Sequence, residues 1–125
     1  MARILLVDDD VALRCILQRT LVTGGHIVTT AVNGADAMRV LQAQTFDLVL
    51  TDIVMPEAEG LQFLRDLRKL PSPPPAIAMS GGGRGTADDY LELATRFGAR
   101  ETLEKPFLPS QLIAAIQRVL GASAG

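Results

Sequence analysis

Apolar and polar positions along this chain fall into two alternating patterns. Four short apolar runs each end in polar residues: Leu5-Leu6-Val7 before Asp8-Asp9, Val49-Leu50 before Thr51-Asp52, Ile77-Ala78-Met79 before Ser80, and Leu103 before Glu104-Lys105. Between them lie longer stretches with apolar residues three or four apart. Short apolar runs alternating with helical spacing read as buried parallel strands joined by helices. The pattern predicts strands at about Arg3–Asp8, His26–Ala31, Phe46–Thr51, Ala76–Ser80 and Glu101–Glu104. The second is rich in β-branched residues, and the fifth is polar, as suits a sheet edge.

A first helix, about Val11–Thr23, places Leu13, Ile16, Leu17, Thr20 and Leu21 on one face and stops at Gly24-Gly25. Asn33-Gly34 opens a second, with Ala37, Met38 and Leu41 inward. A third, about Glu59–Lys69, buries Leu61, Leu64 and Leu67. Pro71, Pro73, Pro74 and Pro75 make a stiff connector. Gly81-Gly82-Gly83-Arg84-Gly85 reads as the most pliable segment, and Thr86 with Asp89 as an N-cap pair for a helix at about Ala87–Phe97, with Leu91, Ala94 and Phe97 inward. Pro109 suits the first turn of a last helix that buries Leu112, Ile116, Val119 and Leu120. Residues 1–121 form one domain on this reading, and 122–125 a small-residue tail.

Five such units fold as a doubly wound α/β domain: a five-stranded parallel sheet of order 2-1-3-4-5, flavodoxin-like, with helices on both faces. Ligands of open α/β sheets sit at the carboxyl ends of the strands. That rule gathers Asp8, Asp9, Asp52, Ser80 and Lys105 on one rim. Clustered carboxylates repel one another, so the acids call for a divalent cation, and the hydroxyl and amine suit a phosphoryl group.

Composition narrows the picture further. A net charge of −2 and a pI near 5.3 argue against general nucleic-acid binding. A single cysteine, Cys15, excludes an internal disulfide. The chain shows no signal-peptide pattern and no run of about 18 apolar residues, so the expected compartment is the cytoplasm, away from membranes. His26, the sole histidine, reads as structural or exposed. The triglycine run lacks a following Gly-Lys-Ser/Thr and is no P-loop.

The acid pair ending the first strand, Asp52 followed by Met55-Pro56 and Gly60, Ser80-Gly81, and Lys105-Pro106-Phe107 resemble the receiver domain of two-component response regulators, over about residues 2–120. The resemblance implies that Asp52 accepts a phosphoryl group from a phosphohistidine. It implies Mg2+, with Mn2+ as a substitute, held by Asp9, Asp52 and the backbone carbonyl of Val54, with Asp8 as a secondary ligand. Lys105 and Ser80 would contact the phosphoryl oxygens. The expected function is a signalling switch that takes part in its own phosphorylation and dephosphorylation and turns over no external substrate. One departure stands out: Thr102 occupies the position, three before Lys105, that is usually aromatic and reports activation.

Two other functions fit parts of the pattern. Asp8 and Asp10 form the Asp-x-Asp of haloacid-dehalogenase-type phosphatases, as nucleophile and acid/base; that reading leaves Asp52 and Met55-Pro56 unexplained. A phosphorylation-independent interaction module would leave the acids, Ser80 and Lys105 without a role. Partners expected for the switch are a sensor histidine kinase or histidine phosphotransfer protein and a downstream protein. Val11, Cys15, Gln18 and Val22 lie opposite the core stripe of the first helix and form the expected docking strip. If these residues are the whole chain, it is a stand-alone regulator that acts by binding partners.

Overall fold

A computed structural model describes residues 2–53, 59–80, 92 and 94–124. Their order is β1 (Arg3–Val7), α1 (Val11–Thr23), β2 (Ile27–Ala31), α2 (Gly34–Ala43), β3 (Leu48–Asp52), α3 (Glu59–Arg68), β4 (Ala76–Ser80), β5 (Glu101–Glu104) and α4 (Pro109–Ala124). The strands form one parallel sheet in the order β2-β1-β3-β4-β5. The doubly wound architecture and strand order expected from the sequence are therefore those observed.

Alternation along the strands divides the core in two. Ile4, Leu6, Leu48, Leu50, Ile77, Met79 and Leu103 face α1 and α4 and meet Leu17, Leu21, Leu112, Ile116 and Val119. Leu5, Val7, Val49, Ala76 and Ala78 face the other way, onto Ala37, Phe63, Leu64, Leu67 and Ala94. β1, β3 and β4 are buried on both faces, which is why their sequences read as continuous apolar runs.

Helix ends follow local chemistry. Asp10 caps α1 by accepting from Leu13 N, and Asn33 caps α2 by accepting from Asp36 N. Gly25, at φ 92°, closes α1: its N–H donates to Val22 O while His26 N donates to Leu21 O. Gly98, at φ 108°, does the same for the segment before β5, with Gly98 N donating to Thr95 O and Ala99 N to Ala94 O.

The helix expected at about Ala87–Phe97 lies largely outside the described residues, as do the glycine run and the Thr86–Asp89 cap; Glu92 and residues 94–96 are helical. Three other details differ from expectation. Ile16 is 61% exposed, not core. The Leu13–Leu17–Leu21 ridge, spaced four apart, is what α1 adds to the hydrophobic core, and Ile16 instead borders an open apolar groove of about 450 Å³ with Leu13, Phe107 and Pro109. Phe63 and Ala115, absent from the expected core, are buried. Finally, α4 runs through Ala124, into the segment read as a tail.

Candidate functional site

The carboxyl ends of β1, β3, β4 and β5 deliver one residue each to a common rim. Asp8 follows Val7, Asp52 ends β3, Ser80 ends β4, and Lys105 follows Glu104. The strand ladder continues into this rim: Lys105 N donates to Ser80 O at 2.8 Å, and Ile53 N to Met79 O at 3.0 Å. These main-chain bonds fix the starting point of each functional side chain.

Lys105 Nζ lies 3.1 Å from Asp52 Oδ2 and 3.5 Å from Asp8 Oδ2. Asp8 is fully buried and Asp52 is 5% exposed. Asp8, Asp9 and Asp52 each offer a carboxylate oxygen, and these lie within 4.8 Å of one another. Among the described residues, these three carboxylates outnumber the one ammonium that pairs with them. Buried charges are retained only when paired or when they coordinate a cation. Hard oxygen donors in this number suit Mg2+ or a similar cation, which uses one or two carboxylates and keeps several waters. The residues present therefore fit such an ion.

Ser80 Oγ is buried and has no hydrogen-bond partner among the described residues. An unsatisfied buried hydroxyl costs about 1–3 kcal/mol, so it marks a place where a further polar group belongs. Asp10 is not brought in as an acid/base. Its Oδ1 accepts from Leu13 N at 3.1 Å, the work of a helix cap. That removes the second residue of the phosphatase reading. Val54, expected to lend a backbone carbonyl, lies outside the described residues. Arg14 was not anticipated from the sequence; its Nη1 donates to the Asp8 carbonyl oxygen at 2.7 Å. A basic residue one turn into a helix that follows an acid pair is the signal that could have found it, because helical side chains lean toward the helix N-terminus.

Of the expected docking strip, Val11 is 61% and Val22 52% exposed, Cys15 is exposed, and Gln18 is half-buried. Thr102 is half-buried on β5, opposite Ala78.

The model of the response regulator receiver domain matches residues 4–117, and the chain belongs to that family. It is 38% identical over 124 residues to the transcriptional regulatory protein CpxR homolog of Haemophilus influenzae, covering 99% of this chain and 52% of that one. It is 35% identical over 117 residues to protein PetR of Rhodobacter capsulatus, covering 94% and 48%. Among solved structures, a CheY-like receiver domain protein from Methanospirillum hungatei superposes with a TM-score of 0.87 at 27% identity, covering 98% of this chain and 95% of that one. NtrX from Brucella abortus does so at 0.89 and 31%, covering 98% and 27%. The chain spans about half the length of the first curated relatives it matches. It is thus a receiver domain of two-component response regulators, a signalling domain of the kind that meets histidine kinases and effector domains. Both the phosphatase and the phosphorylation-independent readings lose to this one. Among the described residues no helix is long and apolar enough to cross a membrane.

Proposed function

We propose that Asp52 is the phosphoacceptor of a phosphorylation-dependent switch. The observation that carries this reading is the placement of Asp52 at the end of β3, with Lys105 Nζ 3.1 Å away and Asp8 and Asp9 beside it. An Asp52 carboxylate oxygen attacks phosphorus, and the bond from phosphorus to the donor imidazole nitrogen breaks with its electron pair going to nitrogen. The product is an acyl phosphate. The difficulty is bringing an anion to an anionic group, so catalysis is charge neutralisation and alignment. Lys105 supplies one fixed positive charge. Ser80 Oγ donates a hydrogen bond to a phosphoryl oxygen, which gives the buried hydroxyl its missing partner. Asp8, Asp9 and Asp52 would hold Mg2+, which would supply further positive charge for the transferring group; the Val54 carbonyl expected beside them lies outside the described residues. The protein acts on itself and turns over no external substrate.

The test is direct. With Mg2+ and acetyl phosphate, intact-mass measurement is expected to show one added phosphoryl group, and Asp52→Asn none. Labelling that persists in Asp52→Asn at Asp8 would overturn the assignment.

The receiver unit, which includes all of α4, works in the cytoplasm with a histidine kinase or phosphotransfer protein upstream and a protein target downstream. Val11, Cys15, Gln18 and Val22 form the face on which the phosphohistidine partner docks; the exposure of Val11, Cys15 and Val22 supports it. Val11→Glu is expected to slow transfer from a phosphohistidine protein while leaving transfer from acetyl phosphate nearly unchanged. Equal slowing with both donors would reject the face.

A further inference from the structure

Three hydrogen bonds fix the turn from β1 into α1. Asp10 N donates to Asp8 Oδ1 at 2.9 Å, Leu13 N to Asp10 Oδ1 at 3.1 Å, and Arg14 Nη1 to the Asp8 carbonyl oxygen at 2.7 Å. The first two are the usual means by which an aspartate turn leads into a capped helix. The third is not required for either. Its acceptor is the oxygen of the peptide bond that joins Asp8 to Asp9. The plane of that peptide governs the relative placement of the two carboxylates on either side of it. Asp8 is further held through its own side chain. Asp9 is exposed, and among the described residues nothing holds its carboxylate.

We propose that Arg14 is a positioning residue for the cation site: it clamps the Asp8–Asp9 peptide so that Asp9 is presented beside Asp8 and Asp52. This rests on the reading of those three acids as the site of a divalent cation. Arg14 acts on that site in two ways of opposite sign. Its charge repels a cation. Its hydrogen bond preorganises the ligands, and groups that orient metal ligands from outside are worth about 10–100-fold in affinity. The half-buried guanidinium is partly screened by water and salt, so its repulsion is worth less than the clamp. Truncating Arg14 therefore weakens cation binding although it removes a positive charge.

The experiment is Mg2+ titration by calorimetry on the full chain, for wild type, Arg14→Ala and Arg14→Lys, with folding checked by amide NMR spectra. Arg14→Ala is expected to raise the Mg2+ Kd about tenfold, with Arg14→Lys between it and wild type. An irreversibly unfolded fraction would lower the number of sites and leave Kd unchanged, whereas reversible unfolding would raise the apparent Kd; a fully folded amide spectrum of the variant before Mg2+ is added therefore separates positioning from simple support of the fold. An Arg14→Ala Kd equal to or below that of wild type overturns the proposal. Should that variant not fold, Arg14→Lys decides: a raised Kd supports the clamp, and an unchanged one rejects it. If wild type itself binds no Mg2+, the cation site fails and the clamp with it; if wild type binds and Arg14→Ala binds equally, only the clamp fails.

Discussion

At the carboxyl end of the sheet Asp8 and Ser80 are fully buried, Asp52 nearly so, and one lysine serves two carboxylates. At the amino end the polar groups lie in or near solvent. Asp47 Oδ2 accepts from Arg3 N at 2.8 Å, Arg3 Nη2 donates to Gln44 Oε1 at 3.1 Å, and the Arg3 guanidinium sits 5.8 Å from the Phe46 ring centroid. The amino-end groups named here are paired, and their exposure leaves them open to solvent. The carboxyl end has an excess of acid and a hydroxyl with no partner among the described residues. Stability alone explains the amino end. It does not explain the carboxyl end, where the same chain buries charge at a cost of several kcal/mol. A protein keeps such an arrangement where a ligand completes it.

The largest effect that sharpens this contrast should come from the cation. Mg2+ at ~100 times its Kd is expected to stabilise the fold by about 2.7 kcal/mol, read as a rise in melting temperature. Asp9→Ala should abolish most of that rise. An equal rise in wild type and variant would remove Asp9 from the ligand set and weaken the claim that the carboxyl end awaits an ion.

Lys105→Ala comes next. It leaves Asp8 and Asp52 facing each other without the ammonium, at a cost of about 2 kcal/mol in EDTA, measured by urea denaturation. Part of the loss should return with Mg2+. If the variant is as stable as wild type in EDTA, the two ion pairs contribute nothing and the rim is less strained than the contrast requires.

The smallest effect belongs to the amino end. Burial holds the His26 imidazole below its usual 6.5, and His26 Nδ1 accepts from Ala2 N at 3.1 Å, which needs the neutral ring. The unfolded chain then binds the proton more readily than the folded one. His26 therefore contributes stability above pH 6.5 that is lost as pH falls through its lower folded value. A urea midpoint that declines between pH 7 and 5 in wild type, and declines less in His26→Gln, is the expected outcome. Identical slopes would show that the amino end is as indifferent to charge as its exposure implies.

Much of this was legible in the residues. The Leu5-Leu6-Val7, Val49-Leu50 and Ile77-Ala78-Met79 runs could be buried only as central parallel strands, and that fixed which ends carry Asp8, Asp52 and Ser80. Lys105 could be placed because it directly follows the polar edge strand at Glu101–Glu104, whose carboxyl end meets the same rim. Ile16 was misplaced because helical periodicity defines a face but not its width: only packing shows that the Leu13–Leu17–Leu21 ridge suffices. Phe63 was missed for the same reason, lying beside the Leu64 and Leu67 positions that define the stripe of α3.

Spacing along the chain thus determined the fold, the strand ends and the set of acids, because periodicity and the order of βα units leave few alternatives. Which oxygens come within reach of one another is a different matter. The 3.1 Å and 3.5 Å approaches of Lys105, the loss of Asp10 to a helix cap, the isolation of Ser80 Oγ and the reach of Arg14 to the Asp8 carbonyl depend on side-chain directions. Those directions are set by contacts between elements far apart in sequence, and only the folded chain decides them.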